Sequence, residues 1–169
     1  RAINPQMRVP ALTLSNGETI IQSLAIMEYL EERYPTQGAK LLPDDVKNRA
    51  IVRSLCNMIA CDIQPIQNLR VLNYVQATGG HKREWGKHWT SLGLSAVEKV
   101  LKETSSGRAY CFGNTVTLAD CCLVPQLPAA RRYGVDMMAF PTILRIEEAL
   151  SKLEAFQKAH PDNQPDAEK

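Results

Sequence analysis

Apolar residues that recur at steps of three and four constrain the fold of this chain most strongly. Within residues 46–76 they are Ala50, Ile51, Leu55, Met58, Ile59, Ile63 and Ile66. A second series within residues 85–103 comprises Trp89, Leu92, Ala96, Val97, Val100 and Leu101. This spacing predicts two long helices, the first interrupted or bent at Pro65, because proline removes a helical hydrogen bond. We expect each apolar series to form a stripe that packs in the core, and a ligand-binding face is the alternative. The segment "FPTILRIEEALSKLEAFQKAHPD" predicts one more helix and a short final one.

A short β-hairpin followed by a helix is predicted ahead of the long helices. Residues 11–15 and 18–21 are rich in apolar and β-branched side chains, and Asn16-Gly17 between them favours a type I′ turn. A helix starts near Ser23 and ends before Pro35. Its predicted inner face holds Ala25, Ile26, Tyr29 and Leu30, and its predicted solvent face holds Glu28, Glu31, Glu32 and Arg33. A two-stranded hairpin with one helix is too small to fold alone, so the helical remainder or further strands must cover it.

The segment "YPTQGAKLLPDD" separates the hairpin unit from the helices. It contains two prolines and a glycine, which break helical periodicity and are typical of a linker. We therefore predict a first domain at residues 1–37, a linker at residues 38–45 and a helical domain at residues 46–169.

Charge and cysteine content exclude several classes of function. The net charge is +2 with acids and bases interspersed, which indicates neither nucleic acid nor an anionic membrane as a partner. No apolar run approaches the roughly 18 residues of a membrane helix, and no signal peptide is recognisable, so we expect a cytoplasmic protein. Five cysteines without paired CxxC spacing and three histidines predict buried reduced thiols and no metal site.

The stretch "VTLADCCLVPQ" carries a helix start signal. Thr117 is placed to cap the helix, and Asp120, three residues later, is placed to accept a hydrogen bond from the backbone of the cap. A catalytic carboxylate is the alternative, but this spacing favours a structural role for Thr117 and Asp120.

Several blocks, in order, resemble one family. They are "INPQMRVPAL", "IIQSLAIMEYLEERYP", "LLPDD", "IQPIQNLRVL", "TLADCCLVPQ" and "LEAFQKAHPDNQPDA". They are similar to the zeta class of glutathione transferases, whose usual activity is maleylacetoacetate isomerase. The resemblance implies an α+β, mostly helical fold, with a partial thioredoxin-like unit (hairpin plus helix) followed by an all-α glutathione transferase C-terminal domain.

The family pattern also implies that the first part of the thioredoxin-like domain is absent from this sequence. Roughly 50 residues are missing, judged from the size of a βαβ unit. They include the loop with the activating serine, so no catalytic residue is assigned in this chain. Two functions therefore stay open. One is glutathione-dependent isomerisation of maleylacetoacetate to fumarylacetoacetate in phenylalanine and tyrosine breakdown, with possible transferase and α-haloacid activity. The alternative is a truncated, non-catalytic dimerisation or ligand-binding form.

The resemblance implies a glutathione site at the hairpin and the following helix. Val9 precedes Pro10 and is biased to an extended backbone, which leaves its N–H and C=O able to pair with a peptide ligand. The family implies a cis bond between these two residues. Ser23 opens the helix, and Ile26 cannot complete a capping box with it, so first-turn amides stay free for a carboxylate. Gln22 adds a side-chain donor, whereas a serine that merely caps the helix is the alternative.

The helical domain is expected to complete the site. Gln64 and Asn68 are four residues apart, which places them on one helical face, and with Leu69 and Arg70 they match a block that faces glutathione in the family. Arg132 matches a position where the family commonly places arginine, and we expect it to bind a carboxylate of the dicarboxylic enone substrate. Arg70 is a second candidate for that role. For either arginine a surface ion pair is the alternative.

Partners and mechanism also follow from the resemblance. The family implies that the thiolate of glutathione adds to the cis alkene, permits rotation and leaves again, so that glutathione is returned. Arg131, next to Arg132, is expected to face solvent. The helix at residues 46–76 resembles the one at the two-fold interface of the family, which predicts a homodimer.

Overall fold

The computed structural model describes residues 3–167. Two strands and seven α-helices occur in that range: β1 (Ala11–Thr13), β2 (Thr19–Ile21), α1 (Ser23–Arg33), α2 (Val46–Asn57), α3 (Leu69–Ala77), α4 (Lys82–Thr104), α5 (Leu118–Tyr133), α6 (Pro141–Ser151) and α7 (Glu154–Lys158). The predicted α+β, mostly helical class is confirmed. Residues 34–45 form neither helix nor strand, and the division into two domains with a linker there stays a prediction.

The hairpin has a longer connection than the sequence predicted. β1 and β2 are antiparallel, and Leu12 lies opposite Ile20. Beyond the strands the Leu14 N–H donates to the Glu18 carbonyl over 2.8 Å, which leaves three residues between them. Only Gly17 of these has a positive φ, at 89°. A type I′ turn needs two successive residues with positive φ, so the predicted two-residue turn is wrong.

Two carboxylates on α1 attach the hairpin unit to α2 and to the segment that precedes it. Glu28 accepts hydrogen bonds from the Arg53 guanidinium through both carboxylate oxygens, each at 2.8 Å. Glu31 accepts from the backbone N–H groups of Leu41 and Leu42, at 2.9 and 3.1 Å. The prediction that Glu28 and Glu31 face solvent is therefore wrong.

The apolar side of α1 is also rotated from its predicted position. Ile26 is buried and Tyr29 is half-buried, as predicted, whereas Ala25 and Leu30 are exposed. The residues of α1 that pack against the helical core are Leu24 and Met27. The rotation follows from the ion pair of Glu28, which brings its flank of α1 against α2.

The core lies between α2, α4, α5 and α6. Its fully buried side chains include Val52, Leu55, Ile63, Leu94, Val97, Leu101, Leu123, Leu127, Ile143 and Ile146. In α4 the burial of Val97 and Leu101 agrees with the predicted stripe, but Leu92 and Ala96 are exposed. The buried face of α4 instead includes Leu94 and the carboxylate of Glu98. That carboxylate accepts hydrogen bonds from the first amides of α6, which explains why a charged residue occupies the core side.

The predicted long helix at residues 46–76 is divided into two helices. After α2 the chain forms one wide turn, Met58–Ile63, then a tight turn, Pro65–Gln67, and Asn68 is extended, with φ −61° and ψ 143°. The interruption predicted at Pro65 thus occurs, and the helical path ends completely at Asn68. Because the path ends, Gln64 and Asn68 do not share one face of a continuous helix, and that inference was wrong.

The capping box at the start of α5 is present. Asp120 accepts hydrogen bonds from the Thr117 N–H (2.8 Å), the Thr117 hydroxyl (2.9 Å) and the Cys111 N–H (2.9 Å). Asp120 is fully buried, and the Leu118 N–H donates to the Leu41 carbonyl over 3.0 Å. The carboxylate therefore fixes the start of α5 and the segment before it.

Candidate functional site

The backbone at Val9 forms an open edge beside the hairpin. Val9 is 94% exposed, and within residues 3–167 its N–H and C=O have no hydrogen-bond partner. The peptide bond between Val9 and Pro10 is cis, as the resemblance implies. The neighbouring Gln22 side chain donates to the Gln6 side-chain oxygen over 2.8 Å. An extended peptide could pair with this edge through its main chain.

The start of α1 presents free backbone donors next to that edge. Gln22, with φ 76°, precedes the helix as its cap residue, and its side chain makes no capping hydrogen bond. Ser23 is the first helical residue, so the alternative role of a capping serine is not what the structure shows. The first backbone donor with an acceptor is Ile26, bonded to the Gln22 carbonyl over 3.0 Å. The earlier amides and the Ser23 hydroxyl are placed to receive a carboxylate.

The break between α2 and α3 carries the second set of predicted residues. Gln64 is exposed, and Asn68 caps α3 by accepting from the Arg70 N–H over 3.2 Å. Leu69 is 69% exposed, and the Arg70 side chain is exposed as well. Asn68 is thus already engaged in a structural hydrogen bond through its side-chain oxygen, and its side-chain NH₂ stays available.

A buried polar network holds this break in place, and sequence reasoning missed it. Gln67 donates to the Gln126 side-chain oxygen over 2.6 Å and accepts from the Thr90 hydroxyl over 3.1 Å. The Gln67 carbonyl accepts from the Tyr133 hydroxyl over 3.2 Å. Burial of Gln67 and Gln126 gave no signal in the sequence, because each looks like an ordinary polar position on a helix.

The two neighbouring arginines near the end of α5 differ in their contacts. Arg131 forms a two-pronged ion pair with Glu147 of α6, one of its hydrogen bonds being 2.7 Å long, and this contact raises the pKa of the guanidinium. Arg131 is exposed, as expected, and its ion pair with Glu147 lies at the surface. Arg132 is exposed and makes no hydrogen bond or ion pair to any residue between 3 and 167. Arg132 is therefore the one of the two whose charge is free for a ligand.

The structure assembles the predicted residues into two groups. Val9, Gln22 and Ser23 lie together because β1 and β2 pair directly beside them. Asn68 and Arg132 belong to the second group. The residues next to them in the chain, Gln67 and Tyr133, are joined by a hydrogen bond from the Tyr133 hydroxyl to the Gln67 carbonyl. No hydrogen bond or ion pair joins the first group to the second within the described range.

A buried arginine nitrogen and a cavity lie outside the two groups of predicted residues. Arg8, beside Val9, was not predicted as a site residue, although its buried Nε has no partner within residues 3–167. A cavity of about 200 Å³ lies between α1, α2 and the start of α5, lined by Glu28, Arg53, Cys56 and others. None of the predicted ligand-binding residues lines this cavity. We therefore place the candidate site at the open edge and the break.

All five cysteines are free, as predicted, but only Cys56 and Cys111 are fully buried, and Cys61 is exposed, so the prediction of buried thiols is wrong for Cys61. Burial, together with the nearby Asp120 carboxylate, raises the pKa of the Cys121 thiol from 9.0 to about 11. Burial and the same carboxylate raise the pKa of the Cys111 thiol well above its usual value. Among residues 3–167 no cluster of three potential metal ligands occurs, and no helix there is long and apolar enough to cross a membrane.

The raised pKa of Cys121 predicts a loss of stability in alkali. Between pH 9 and 11 the thiol releases its proton in the unfolded protein and keeps it in the folded protein. The unfolded state is therefore stabilised relative to the folded state as the pH rises. We expect this thiol to cost about 1 kcal/mol of unfolding free energy between pH 8 and pH 10. Urea unfolding of the protein and of Cys121→Ala at both pH values measures it. An equal pH dependence in the two proteins would contradict the assignment.

Comparisons with known proteins identify relatives along almost the whole chain. The family models "Glutathione S-transferase, N-terminal domain" and "Glutathione S-transferase, C-terminal domain" match residues 1–38 and 92–159. A probable maleylacetoacetate isomerase 2 of Drosophila melanogaster is 50% identical over 166 residues, which cover 98% of this chain and 70% of the relative.

Solved structures agree with the sequence comparisons. A holo structure of maleyl pyruvate isomerase, described as a bacterial zeta-class glutathione S-transferase, has a TM-score of 0.91 and 44% identity, covering 99% of this chain and 79% of that one. A crystal structure of maleylacetoacetate isomerase from Anaeromyxobacter dehalogenans with bound glutathione has a TM-score of 0.88 and 43% identity, covering 99% and 77%.

Proposed function

The chain belongs to the zeta class of glutathione transferases, and on this basis we propose that it acts as a glutathione-dependent cis-trans isomerase of maleylacetoacetate. The observation that carries the proposal is the backbone edge at Val9, which has no partner among residues 3–167, directly beside the uncapped start of α1. Relatives with the same fold are named isomerases, which favours catalysis over the alternative of a non-catalytic dimerisation or ligand-binding form.

The residues of the first group fit the shape and charge of glutathione. Glutathione is a short peptide, so its main chain can pair with the Val9 N–H and C=O. Its γ-glutamyl carboxylate fits the first amides of α1 and the Ser23 hydroxyl, with Gln22 as an additional donor. When bound, glutathione supplies the thiol that adds to the alkene of the substrate and leaves again.

The second group supplies polar and cationic residues for the rest of the reaction. Gln64, Asn68, Leu69 and Arg70 border the open side of the break, where they can contact glutathione or the substrate. Arg132 has an exposed guanidinium without a partner in the described range, and we assign it to a substrate carboxylate. Thr117, Asp120 and Pro10 are assigned structural roles.

The isomerisation of maleylacetone, measured with and without glutathione, tests this function. We expect the protein to accelerate isomerisation only when glutathione is present, and the amount of free glutathione to stay constant. If a stable glutathione conjugate accumulates instead, the protein is a transferase for other electrophiles. Absence of any acceleration above the rate with glutathione alone would reject the isomerase.

We further propose a homodimer formed by the exposed faces of α2 and α4. Val46 on α2 is 73% exposed, Leu92 on α4 is 57% exposed, and Ala50 and Ala96 add small exposed side chains to the same two helices. Val46 and Ala50 are four residues apart, as are Leu92 and Ala96, so each pair forms an apolar patch on one helix face, and an exposed apolar patch marks an interaction surface. We place the protein in the cytoplasm, where free thiols are maintained.

Replacing Leu92 with glutamate is expected to convert the dimer to a monomer. A charge buried at the centre of an apolar contact is costly without a partner. Light scattering after gel filtration should give about twice the chain mass of 18.9 kDa for the unmodified chain and about one chain mass for the variant. Met138→Glu is the matched control, because Met138 is 79% exposed but lies outside α2 and α4. Equal masses for Leu92→Glu and the control would contradict the proposed interface.

A further inference from the structure

At the break between α2 and α3, two backbone carbonyls accept no hydrogen bond from a helix backbone within residues 3–167. The Ile66 carbonyl accepts from the Trp85 indole N–H of α4 over 2.8 Å. The Gln67 carbonyl accepts from the Tyr133 hydroxyl at the end of α5 over 3.2 Å. Side chains from two other helices thus supply the donors that a continuous helix would have supplied from its own backbone.

The side chain of Gln67 fixes the direction of that second carbonyl. It is held on both sides, by the Gln126 side-chain oxygen at 2.6 Å and by the Thr90 hydroxyl at 3.1 Å. Gln67, Gln126 and Thr90 are 7%, 5% and 1% exposed, and the Gln126 side-chain NH₂ is buried without a partner within residues 3–167. Moving the Gln67 side chain out of this network would leave further buried polar groups unpaired. The Gln67 carbonyl is therefore a fixed acceptor for Tyr133.

The bond from Tyr133 joins the two parts of the second group. Tyr133 directly follows Arg132, and Gln67 directly precedes Asn68. The Tyr133 ring lies against Gly86, where an added Cβ would come within 2.8 Å of it, so the ring is also held by packing. Movement of the Arg132 backbone away from residues 68–70 would therefore strain this hydrogen bond or the contact of the ring with Gly86.

We propose that the Tyr133 hydroxyl is a positioning group for the dicarboxylic substrate. It holds the backbone of Arg132 at a fixed separation from residues 68–70, so that a substrate contacts both at once. This inference rests on the proposed function, because it needs Arg132 to bind a substrate carboxylate. Tyr133 acts through Arg132 and does not itself touch the substrate.

Tyr133→Phe tests the proposal, because it removes the hydroxyl and keeps the ring on Gly86. We expect the KM for maleylacetone to rise about fivefold to tenfold, the size expected for one lost hydrogen bond, with kcat and the KM for glutathione changed less than about twofold. In an Arg132→Met background the same change should have no further effect on KM. A purely structural role for Tyr133 would instead change KM equally in both backgrounds, and that result would overturn the proposal.

Hydrogen exchange supplies a readout that does not depend on activity. In Tyr133→Phe the amides of residues 68–70 should exchange at least about fivefold faster, because the Gln67 carbonyl directly before them loses its hydrogen-bond donor. Tyr110→Phe is the control, since Tyr110 is half-buried elsewhere and its hydroxyl has no partner within residues 3–167. Unchanged exchange at 68–70 would refute the positioning role. If the unmodified protein does not isomerise maleylacetone, the proposed function fails, and faster exchange would still show that Tyr133 holds the segment.

Discussion

Replacing Asp120 with alanine is expected to lower the free energy of unfolding by about 4 kcal/mol, because three donors then lose a fully buried charged acceptor. The donors are the Thr117 N–H, the Thr117 hydroxyl and the Cys111 N–H. Asp120→Asn should lose part of this energy, since one side-chain oxygen remains while its NH₂ group faces a donor. Urea or guanidinium unfolding of the purified proteins measures both changes.

Asp162 offers a matched control for Asp120. It is an exposed aspartate near the C-terminus, so Asp162→Ala should change the free energy of unfolding by less than about 0.5 kcal/mol. A loss below about 1 kcal/mol in Asp120→Ala would contradict the structural role of this carboxylate. Isomerase activity per folded molecule should be little changed in Asp120→Asn, and complete loss of activity in a folded variant would support the catalytic alternative.

Replacing Arg132 with methionine is expected to lower kcat/KM for maleylacetone by about 30- to 100-fold, the range for a lost charge-assisted hydrogen bond. The Arg132 guanidinium has no protein partner in the described range, so its removal should leave the melting temperature nearly unchanged. Conjugation of glutathione to an uncharged electrophile should be unaffected, because no substrate carboxylate is involved. Steady-state kinetics with both substrates measures these effects.

Arg131→Met is the control for that experiment. Arg131 is a neighbouring arginine of the same charge, but it is engaged with Glu147. We expect Arg131→Met to lower stability slightly and to change kcat/KM less than about threefold. If Arg131→Met and Arg132→Met reduced kcat/KM equally, the effect would be one of net charge, and the assignment of Arg132 to a carboxylate would be wrong.

Local patterns in the sequence predicted the elements whose stabilising contacts are also local. Thr117 and Asp120 lie three residues apart in one helical turn, so their contact follows from spacing alone. The bounds of α1 followed in the same way, from Ser23 at its start and Pro35 after its end. The cis bond before Pro10 came from the family resemblance, since spacing carries no signal for it.

Features that depend on distant partners could not be predicted. The long helix ends at Asn68 because Trp85 and Tyr133 supply donors to the carbonyls before it, and no pattern within residues 46–76 contains those side chains. Glu28 faces inward because Arg53 lies opposite, which periodicity does not show. Leu92 was assigned to the core by its spacing, although a helix with apolar residues on two faces does not reveal which face is buried.

Calorimetric titration of glutathione into the protein, and into its Ser23→Ala variant, tests the central claim most directly. We predict measurable binding of glutathione to the unmodified protein and an affinity about tenfold lower in Ser23→Ala, because we assign the hydroxyl at the start of α1 to the γ-glutamyl carboxylate. Ser91→Ala, on α4 and away from the open edge, should bind like the unmodified protein. Absence of binding, or equal affinity in all three proteins, would contradict a glutathione site at Val9 and the start of α1.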